Sequence, residues 1–362
     1  MNGQSRWKPS LMLVPLLSLV LAVLPNEAPA GPSGYQQIAT LALGELGGWD
    51  YLTMDSANRR LFISRETRVM VLDLDRGKVV GEIPDTPGVH GIALAPELGR
   101  GFTSNGRSAS VTIFDFKTLK VIGTVKTQEG PDAIVYEPQT RRVLTMNGRS
   151  QSTTIFDAAT GEVTATLALG GKPEFALADG KGRIFVNLED QSAELEIDPL
   201  APRIVNRWPL APCSEPSGLA IDREHRRLFA GCHNRMMAVV DADSGQVIAT
   251  PAIGAGVDAN AFDPETKLAF SSNGEGTLTI VREDSPGDFR VIENVETKRG
   301  ARTMALDEKT HNVYLVTADF GPTPPPTSEN LRPRPPILPD SFAVLVYGTK
   351  ASPTKGGVAP SL

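Results

Sequence analysis

The chain has 362 residues, of which 40% are hydrophobic and only 6% aromatic, and it carries a formal net charge of −6. An acidic chain without a basic patch interleaved with aromatic residues is not expected to bind nucleic acid, because clustered lysine and arginine hold phosphate backbones. The length would suit two average domains, but the repeats described below run without a break. We therefore expect one soluble domain, and a monomer.

A signal peptide is predicted at residues 1–30. Arg6 and Lys8 precede an apolar run from Leu11 to Leu24, which is short for a bilayer span, and residues 28–30 (APA) form a small-residue cleavage site. Cleavage after Ala30 would deliver a periplasmic or secreted protein without membrane insertion. The alternative is an uncleaved anchor, which the A-x-A pattern disfavours.

A polar residue recurs before an apolar strand in seven units spaced about 40 to 44 residues apart. The column contains Asp50, His90, Asp132, Glu174, Ser217, Asp258 and Arg302. Each unit reads as four short strands separated by turns, for example 133–136, 143–146, 153–156 and 163–169 in the third unit. The sequence therefore predicts an all-β protein, a seven-bladed β-propeller of four-stranded blades.

Two further features fit a closed ring. Small residues such as Gly91 and Gly218 alternate with large ones in the first strands, where seven strands crowd around one axis. The seventh unit lacks one strand, and the N-terminal stretch Ile38 to Leu43 reads as an outer strand. We expect it to pair with Phe342 to Val346 and to complete blade 7, leaving no open edge.

Cys213 and Cys232 both fall in the fifth unit, at strand ends that an antiparallel pair places on the same face. A disulfide is expected, since two cysteines in an exported chain usually pair. The alternative is a reactive or metal-binding thiol pair, with His233 as the neighbouring ligand.

The strand ends 101–105 (GFTSN), 143–147 (VLTMN) and 268–273 (LAFSSN), with turns such as 157–161 (DAATG), resemble the YVTN-repeat, or YncE-like, family of exported bacterial β-propellers. The resemblance extends from Tyr35 to Gly348 and implies a seven-bladed propeller, domain 31–348, in the periplasm or outside the cell. It implies no reaction, because the repeat motifs of that family are structural.

The polar column should surround one mouth of the central channel. We expect a small molecule or a protein to bind at this top face through Asp50, His90, Asp132, Glu174, Asp258, Arg302, Arg107, Arg149 and His233. Four carboxylates in one ring repel each other unless a cation, or Arg302 and His90, neutralises them. One divalent ion held by Asp132, Glu174 and Asp258 is predicted, with Ca²⁺ or Mg²⁺ favoured over Zn²⁺ or Cu²⁺ by the oxygen ligands. The alternative is a solvated channel mouth without a ligand.

Two functions remain open at this stage. The first is a non-catalytic exported propeller that binds a small ligand, a metal ion or a protein partner. The second is a metal-dependent hydrolase or lyase, similar in plan to lactonase-type propellers, with His90 as general base. Motifs for haem attachment, P-loops, GxSxG elbows and CxxC are absent from the sequence, which gives cofactor redox chemistry and serine nucleophiles no support.

The proline-rich insertion 321–340 in blade 7 should leave the top face as an extended segment, either solvated or acting as a flap or docking segment. Residues 349–362 are predicted to be a disordered tail. Asn105-Gly106 and Asn147-Gly148 suggest type I′ hairpin turns. His225 and His311 are expected to be solvated turn residues at the opposite face.

Overall fold

The computed structural model describes Met1 and residues 33–327, 331 and 333–349. In this part of the chain, 28 strands form seven four-stranded antiparallel sheets, which confirms the predicted seven-bladed β-propeller. These strands lie in a unit spanning residues 31–362. The predicted signal peptide, apart from Met1, and the tail beyond Thr349 lie outside the described residues. Among the described residues, no helix has the length and hydropathy needed to cross a membrane.

Six blades take four consecutive strands each, starting with the strand nearest the channel. Blade 1 contains β2 (Leu52–Asp55), β3 (Arg60–Arg65), β4 (Arg68–Asp73) and β5 (Lys78–Ile83). Blade 2 contains β6 (Val89–Ala95), β7 (Arg100–Asn105), β8 (Ser110–Asp115) and β9 (Val121–Lys126). Blade 3 contains β10 (Pro131–Glu137), β11 (Arg142–Asn147), β12 (Ser152–Asp157) and β13 (Val163–Ala168).

Blade 4 contains β14 (Pro173–Ala178), β15 (Ile184–Leu188), β16 (Ala193–Asp198) and β17 (Arg203–Pro209). Blade 5 contains β18 (Pro216–Asp222), β19 (Arg227–Cys232), β20 (Met236–Asp241) and β21 (Val247–Ala249). Blade 6 contains β22 (Val257–Asp263), β23 (Leu268–Asn273), β24 (Thr277–Ser285) and β25 (Asp288–Glu296). Short 3₁₀ turns occupy Pro96–Leu98 and Glu189–Gln191.

Blade 7 is built from both ends of the propeller. It contains β26 (Met304–Asp307), β27 (Asn312–Thr317), β28 (Ala343–Thr349) and, outermost, β1 (Tyr35–Ala42). The β1–β28 ladder runs from Tyr35 opposite Thr349 to Ala42 opposite Ala343. This confirms the predicted ring closure, and it places Thr349, the first residue of the predicted tail, in the last strand.

Glycines in the innermost strands permit the close approach of neighbouring blades. A Cβ on Gly91 would lie 2.9 Å from the backbone nitrogen of Ile134, and one on Gly218 would lie 2.7 Å from the backbone of Ala259. Any side chain at these positions would push the inner strands apart. The small residues therefore relieve crowding around the axis, as predicted.

Aromatic side chains fill the space between the sheets. The rings of Phe102 and Phe156, in blades 2 and 3, lie 5.7 Å apart, and those of Phe229 and Phe262, in blades 5 and 6, lie 5.0 Å apart. Burial of such rings adds to the aliphatic contacts that hold neighbouring blades together.

The asparagines at the ends of the second strands do not form the predicted type I′ turns. Positive φ occurs instead at Ala109 (46°), the last residue of the turn after Asn105. The buried Asn105 side chain accepts a hydrogen bond from Thr103 Oγ1 (2.9 Å) and donates one to Thr112 Oγ1 (2.9 Å). The same two contacts recur at two other strand ends, Asn147 and Asn273. The repeated asparagine therefore ties the second strand of a blade to the third.

Cys213 and Cys232 form the predicted disulfide, with their Cα atoms 5.7 Å apart. The bond joins the segment before β18 to the end of β19, at the channel mouth of blade 5. A disulfide is consistent with an oxidising, extracellular environment.

Candidate functional site

A charged cup opens at the top mouth of the channel, with a volume of about 1030 Å³. It collects all nine residues predicted to bind a ligand, namely Asp50, His90, Arg107, Asp132, Arg149, Glu174, His233, Asp258 and Arg302. A cavity of this size has the dimensions of a small-molecule site.

A repeated backbone irregularity positions the rim residues. In blades 2 to 6 the ladder between the first two strands shifts register at its top end, for example between Val89 and Ile92 and between Pro131 and Ile134. His90 and Asp132 lie within these shifts. Because such a bulge frees the backbone from regular pairing, it can re-aim a side chain, here toward the cup.

Hydroxyl groups of the second strands hold the irregular segments in place. The Ser104 hydroxyl accepts a hydrogen bond from Gly91 N (2.8 Å) and donates to the Asp132 carbonyl of the next blade. Ser272 makes the corresponding contact with the Arg302 carbonyl. In blades 2 and 6, the serine before the repeated asparagine therefore supports the rim residue of the following blade.

Asp50, His90 and Asp132 form a compact group on blades 1 to 3. His90 Nδ1 lies 2.5 Å from Asp50 Oδ2 and 3.8 Å from Asp132 Oδ1, and one ligand atom from each residue falls within 4.8 Å of the others. Burial raises the pKa of Asp132 to about 8, against the opposing charge of His90. Burial also disfavours the imidazolium, but the bond to Asp50 and the charge of Asp132 outweigh it and raise the pKa of His90 to about 8.

The other two rim carboxylates have cationic partners. Lys172 Nζ lies 3.1 Å from Glu174 and also contacts Glu189, and Arg302 Nε lies 3.2 Å from Asp258. Burial still raises the pKa of Glu174 and of Asp258, although these cations oppose it. Of the three predicted metal ligands, only Asp132 belongs to the compact group with potential ligands nearby.

Arg107 and Arg149 occupy equivalent positions on blades 2 and 3. Their stems lie over Gly88 and Gly130, both with φ of 68°, where a Cβ would come within 2.6 and 2.8 Å of the arginine Cγ atoms. Among the described residues, neither guanidinium has a hydrogen-bond or ion-pair partner. The two exposed cations are therefore free to meet an anion beside the Asp50–His90–Asp132 group.

Tyr51 and Phe175 also line the cup, and neither was among the predicted site residues. They belong to blades 1 and 4, and their rings meet across the channel with centroids 5.3 Å apart. Burial, followed by the charges of Asp132 and Glu174, raises the pKa of the Tyr51 phenol. In the sequence, each follows directly after a member of the polar column, at a position where the other units carry smaller residues.

Lys172, Glu66 and Arg334 also line the cup without having been predicted. Arg334 comes from the proline-rich insertion, so this segment does reach the top mouth. Both ends of the insertion are pinned: Gly321 N donates to Pro336 O, and Leu338 N donates to Asp319 O, each at 2.8 Å.

His233 lies on the rim of blade 5 beside the disulfide, where its Nδ1 is 3.3 Å from Glu215 Oε2. Ser217, the column member of this blade, is buried, and its hydroxyl lies 3.4 Å from Asp258 Oδ1. Blade 5 therefore presents the imidazole of His233 to the cup in place of a carboxylate.

Comparison with solved structures supports the class of the protein, a seven-bladed β-propeller. The chain is similar to a hydrazine synthase structure from Kuenenia stuttgartiensis, with a TM-score of 0.66 and 16% identity over 75% of this chain and 93% of that chain. It is also similar to the RRP9 WD40 repeats (TM-score 0.71, 8% identity, 89% of this chain and 99% of that chain) and to U3-55K (TM-score 0.70, 8% identity, 87% and 99%).

No protein-family model and no curated protein matches the chain. Identities as low as these show the fold alone. Membership of the YVTN-repeat family therefore stays a prediction from the repeat segments.

Proposed function

We propose that the protein is an exported binding propeller whose cup holds a divalent cation and, with it, a small anionic ligand. The observation that carries this proposal is the compact group of Asp50, His90 and Asp132 inside a cavity of about 1030 Å³. Two carboxylates and one imidazole are donors that a divalent ion accepts.

The cation would replace a proton at this group. At neutral pH a protonated His90 supplies positive charge 3.8 Å from Asp132 Oδ1, and a divalent ion bound within the group would displace that proton. Glu174 and Asp258 are paired instead with the permanent cations Lys172 and Arg302. For this reason we propose Asp50 and His90, in place of Glu174 and Asp258, as the partners of Asp132.

The anionic part of the ligand would contact Arg107 and Arg149. Both are unpaired among the described residues and both line the cup. A guanidinium binds carboxylate or phosphate through two parallel hydrogen bonds, so two of them on neighbouring blades select for negative charge.

Elemental analysis and thermal shift test the proposal. The purified mature protein is incubated with Ca²⁺, Mg²⁺, Zn²⁺ or Cu²⁺, and Asp132→Asn should lose one bound ion per chain. A panel of small carboxylates and phosphates should raise the melting temperature of the wild type, and Arg107→Ala with Arg149→Ala should remove that shift while the ion stays bound.

The matched control is Arg76→Ala, which removes one arginine from an exposed turn between β4 and β5, away from the cup. Its ion content and its response to anions should equal those of the wild type. Equal ion content in wild type and Asp132→Asn, together with no anion response, would contradict the proposal.

A second candidate is a metal-dependent hydrolase, which the Asp50–His90 contact favours. A carboxylate 2.5 Å from Nδ1 is the arrangement that orients a histidine as a general base, with Nε2 taking the proton of an attacking water. A lactone or ester panel followed by acid release tests this candidate. Hydrolysis that His90→Gln abolishes would support it, and ion binding without hydrolysis would leave the binding function.

A further inference from the structure

A second group of potential ligands lies at the opposite face, between blades 5 and 6. Asp222 ends β18, His225 belongs to the turn that follows, and Glu283 belongs to β24 of the next blade. One ligand atom from each lies within 4.8 Å of the others. His225 was expected to be a solvated turn residue, but it is half-buried and its Nδ1 lies 2.6 Å from Asp222 Oδ2.

Glu283 departs from the repeat in a way that the fold does not require. Its backbone NH donates to the carbonyl of Lys267 at 3.0 Å, and the same backbone bond marks the equivalent position in four other blades. Those blades carry apolar residues there, namely Leu74, Phe116, Ala158 and Ala242. Blade 6 therefore places a carboxylate where its relatives place a core side chain.

The carboxylate of Glu283 is buried without a donor. The residue is 8% exposed, and neither carboxylate oxygen accepts a hydrogen bond. Lys267, whose backbone carbonyl accepts the bond from Glu283, pairs through its side chain with Glu224 at 2.9 Å. Among the described residues, no lysine or arginine forms an ion pair with Asp222 or Glu283, so the two buried acids meet with only His225 beside them.

We propose that Asp222, His225 and Glu283 bind one divalent transition-metal ion that joins blade 5 to blade 6. The alternative is a proton shared between the two carboxyl groups, with His225 Nδ1 hydrogen-bonded to Asp222. The distances from His225 Nδ1 to Asp222 (2.6 Å) and to Glu283 (3.7 Å) bracket the spacing of about 3.3 Å between ligands of a tetrahedral zinc ion.

The composition of the group indicates the ion and its role. One imidazole with two carboxylates suits Zn²⁺ or a similar first-row ion and balances its charge of two. Asp222 and Glu283 side chains are 0% and 3% exposed, whereas His225 is 31% exposed, so water can reach the fourth position only from the histidine side. We therefore assign a structural cross-link between blades.

Zinc content of the metal-stripped, reloaded full-length mature protein tests the site. Glu283→Ala is the matched variant, because Ala158 and Ala242 occupy the same position in two other blades and the fold accepts alanine there. It should bind one Zn²⁺ fewer per chain than the wild type. Asp132→Asn, at the charged cup, should keep this ion, which separates the proposal from the one made for the cup.

Thermal unfolding supplies a second readout. Zn²⁺ at about 100 times its dissociation constant should raise the melting temperature of Asp132→Asn by about 5 °C. The melting temperature of the double variant, Asp132→Asn with Glu283→Ala, should stay unchanged. If Glu283→Ala does not fold, His225→Gln, a substitution on the solvent side of the group, replaces it in the experiment. This variant should lose the same shift in melting temperature. Equal zinc content in wild type and Glu283→Ala, or a shift that survives both variants, would overturn the site and favour the shared proton.

Discussion

The buried carboxyl of Glu194 should make the protein less stable at alkaline pH. Glu194 lies in β16 with 0% exposure, and neither of its oxygens has a hydrogen-bond partner. The equivalent positions in blades 2 and 3 carry the uncharged residues Val111 and Thr153. Burial alone raises the pKa of Glu194 from 4.5 to about 8.

The sign and size of the effect follow from proton linkage. Between pH 4.5 and about 8, the folded protein keeps a proton on Glu194 that the unfolded chain releases, so the free energy of unfolding falls as pH rises. The pKa difference between the folded and unfolded states lowers the free energy of unfolding by about 5 kcal/mol above pH 8. About 3 kcal/mol of that stability is already lost at pH 7. This is a large share of a typical folding free energy of roughly 5–15 kcal/mol.

Urea unfolding of wild type and Glu194→Gln, measured at pH 5 and at pH 8.5, tests this reasoning. Other buried acids add to the pH dependence of both proteins. The two proteins are therefore compared by the slope of the free energy of unfolding against pH. Glu194→Gln should be less sensitive to pH by several kcal/mol, whereas Glu162→Gln, at an exposed turn, should behave as the wild type. Coincident slopes for wild type and Glu194→Gln would refute the assignment of a buried, protonated carboxyl.

Three further predictions concern the scaffold. Replacing Cys213 and Cys232 by alanine should lower the free energy of unfolding by about 3 kcal/mol, through loss of a closed loop, and unreduced peptide maps should show the two residues linked; free thiols would contradict the pairing. Tyr35→Phe removes the hydrogen bond to the His311 carbonyl (2.7 Å) and should cost about 1 kcal/mol in urea unfolding, and no change would show that the bond adds nothing. Gly91→Ala should lower the melting temperature, with a cost of about 1–3 kcal/mol, because the added Cβ meets backbone of the next blade at 2.9 Å; unchanged melting would contradict the close packing.

The period of the polar column was sufficient to predict the propeller and the rim. A repeat of four short strands has few ways to bury its apolar faces, and ring closure follows from the strand missing in blade 7. His90 and Asp132 could be placed on the rim because each occupies the same point of its unit. The register shift that aims them could not be predicted, since it depends on hydroxyl contacts such as that of Ser104 with the next blade.

Departures from the repeat were harder to interpret than the repeat itself. Lys172 lies two residues before Glu174, outside the column, so its ion pair was not foreseen. Glu194 and Glu283 lie in strands that also carry other acids, and their burial depends on packing between blades. Tyr51 is large where the other units are mostly small, which sequence comparison within the chain could have identified.

The pairing of β1 with β28 has a consequence for how the molecule is assembled. The first strand of the described propeller has no partner until the final strand has been made, so the ring cannot be completed by a chain that is still emerging. Export of an open chain and closure afterwards are compatible with this order. The same pairing leaves Tyr35 and Thr349 side by side, so a short linker between them would give a circular permutant with new ends in any exposed turn.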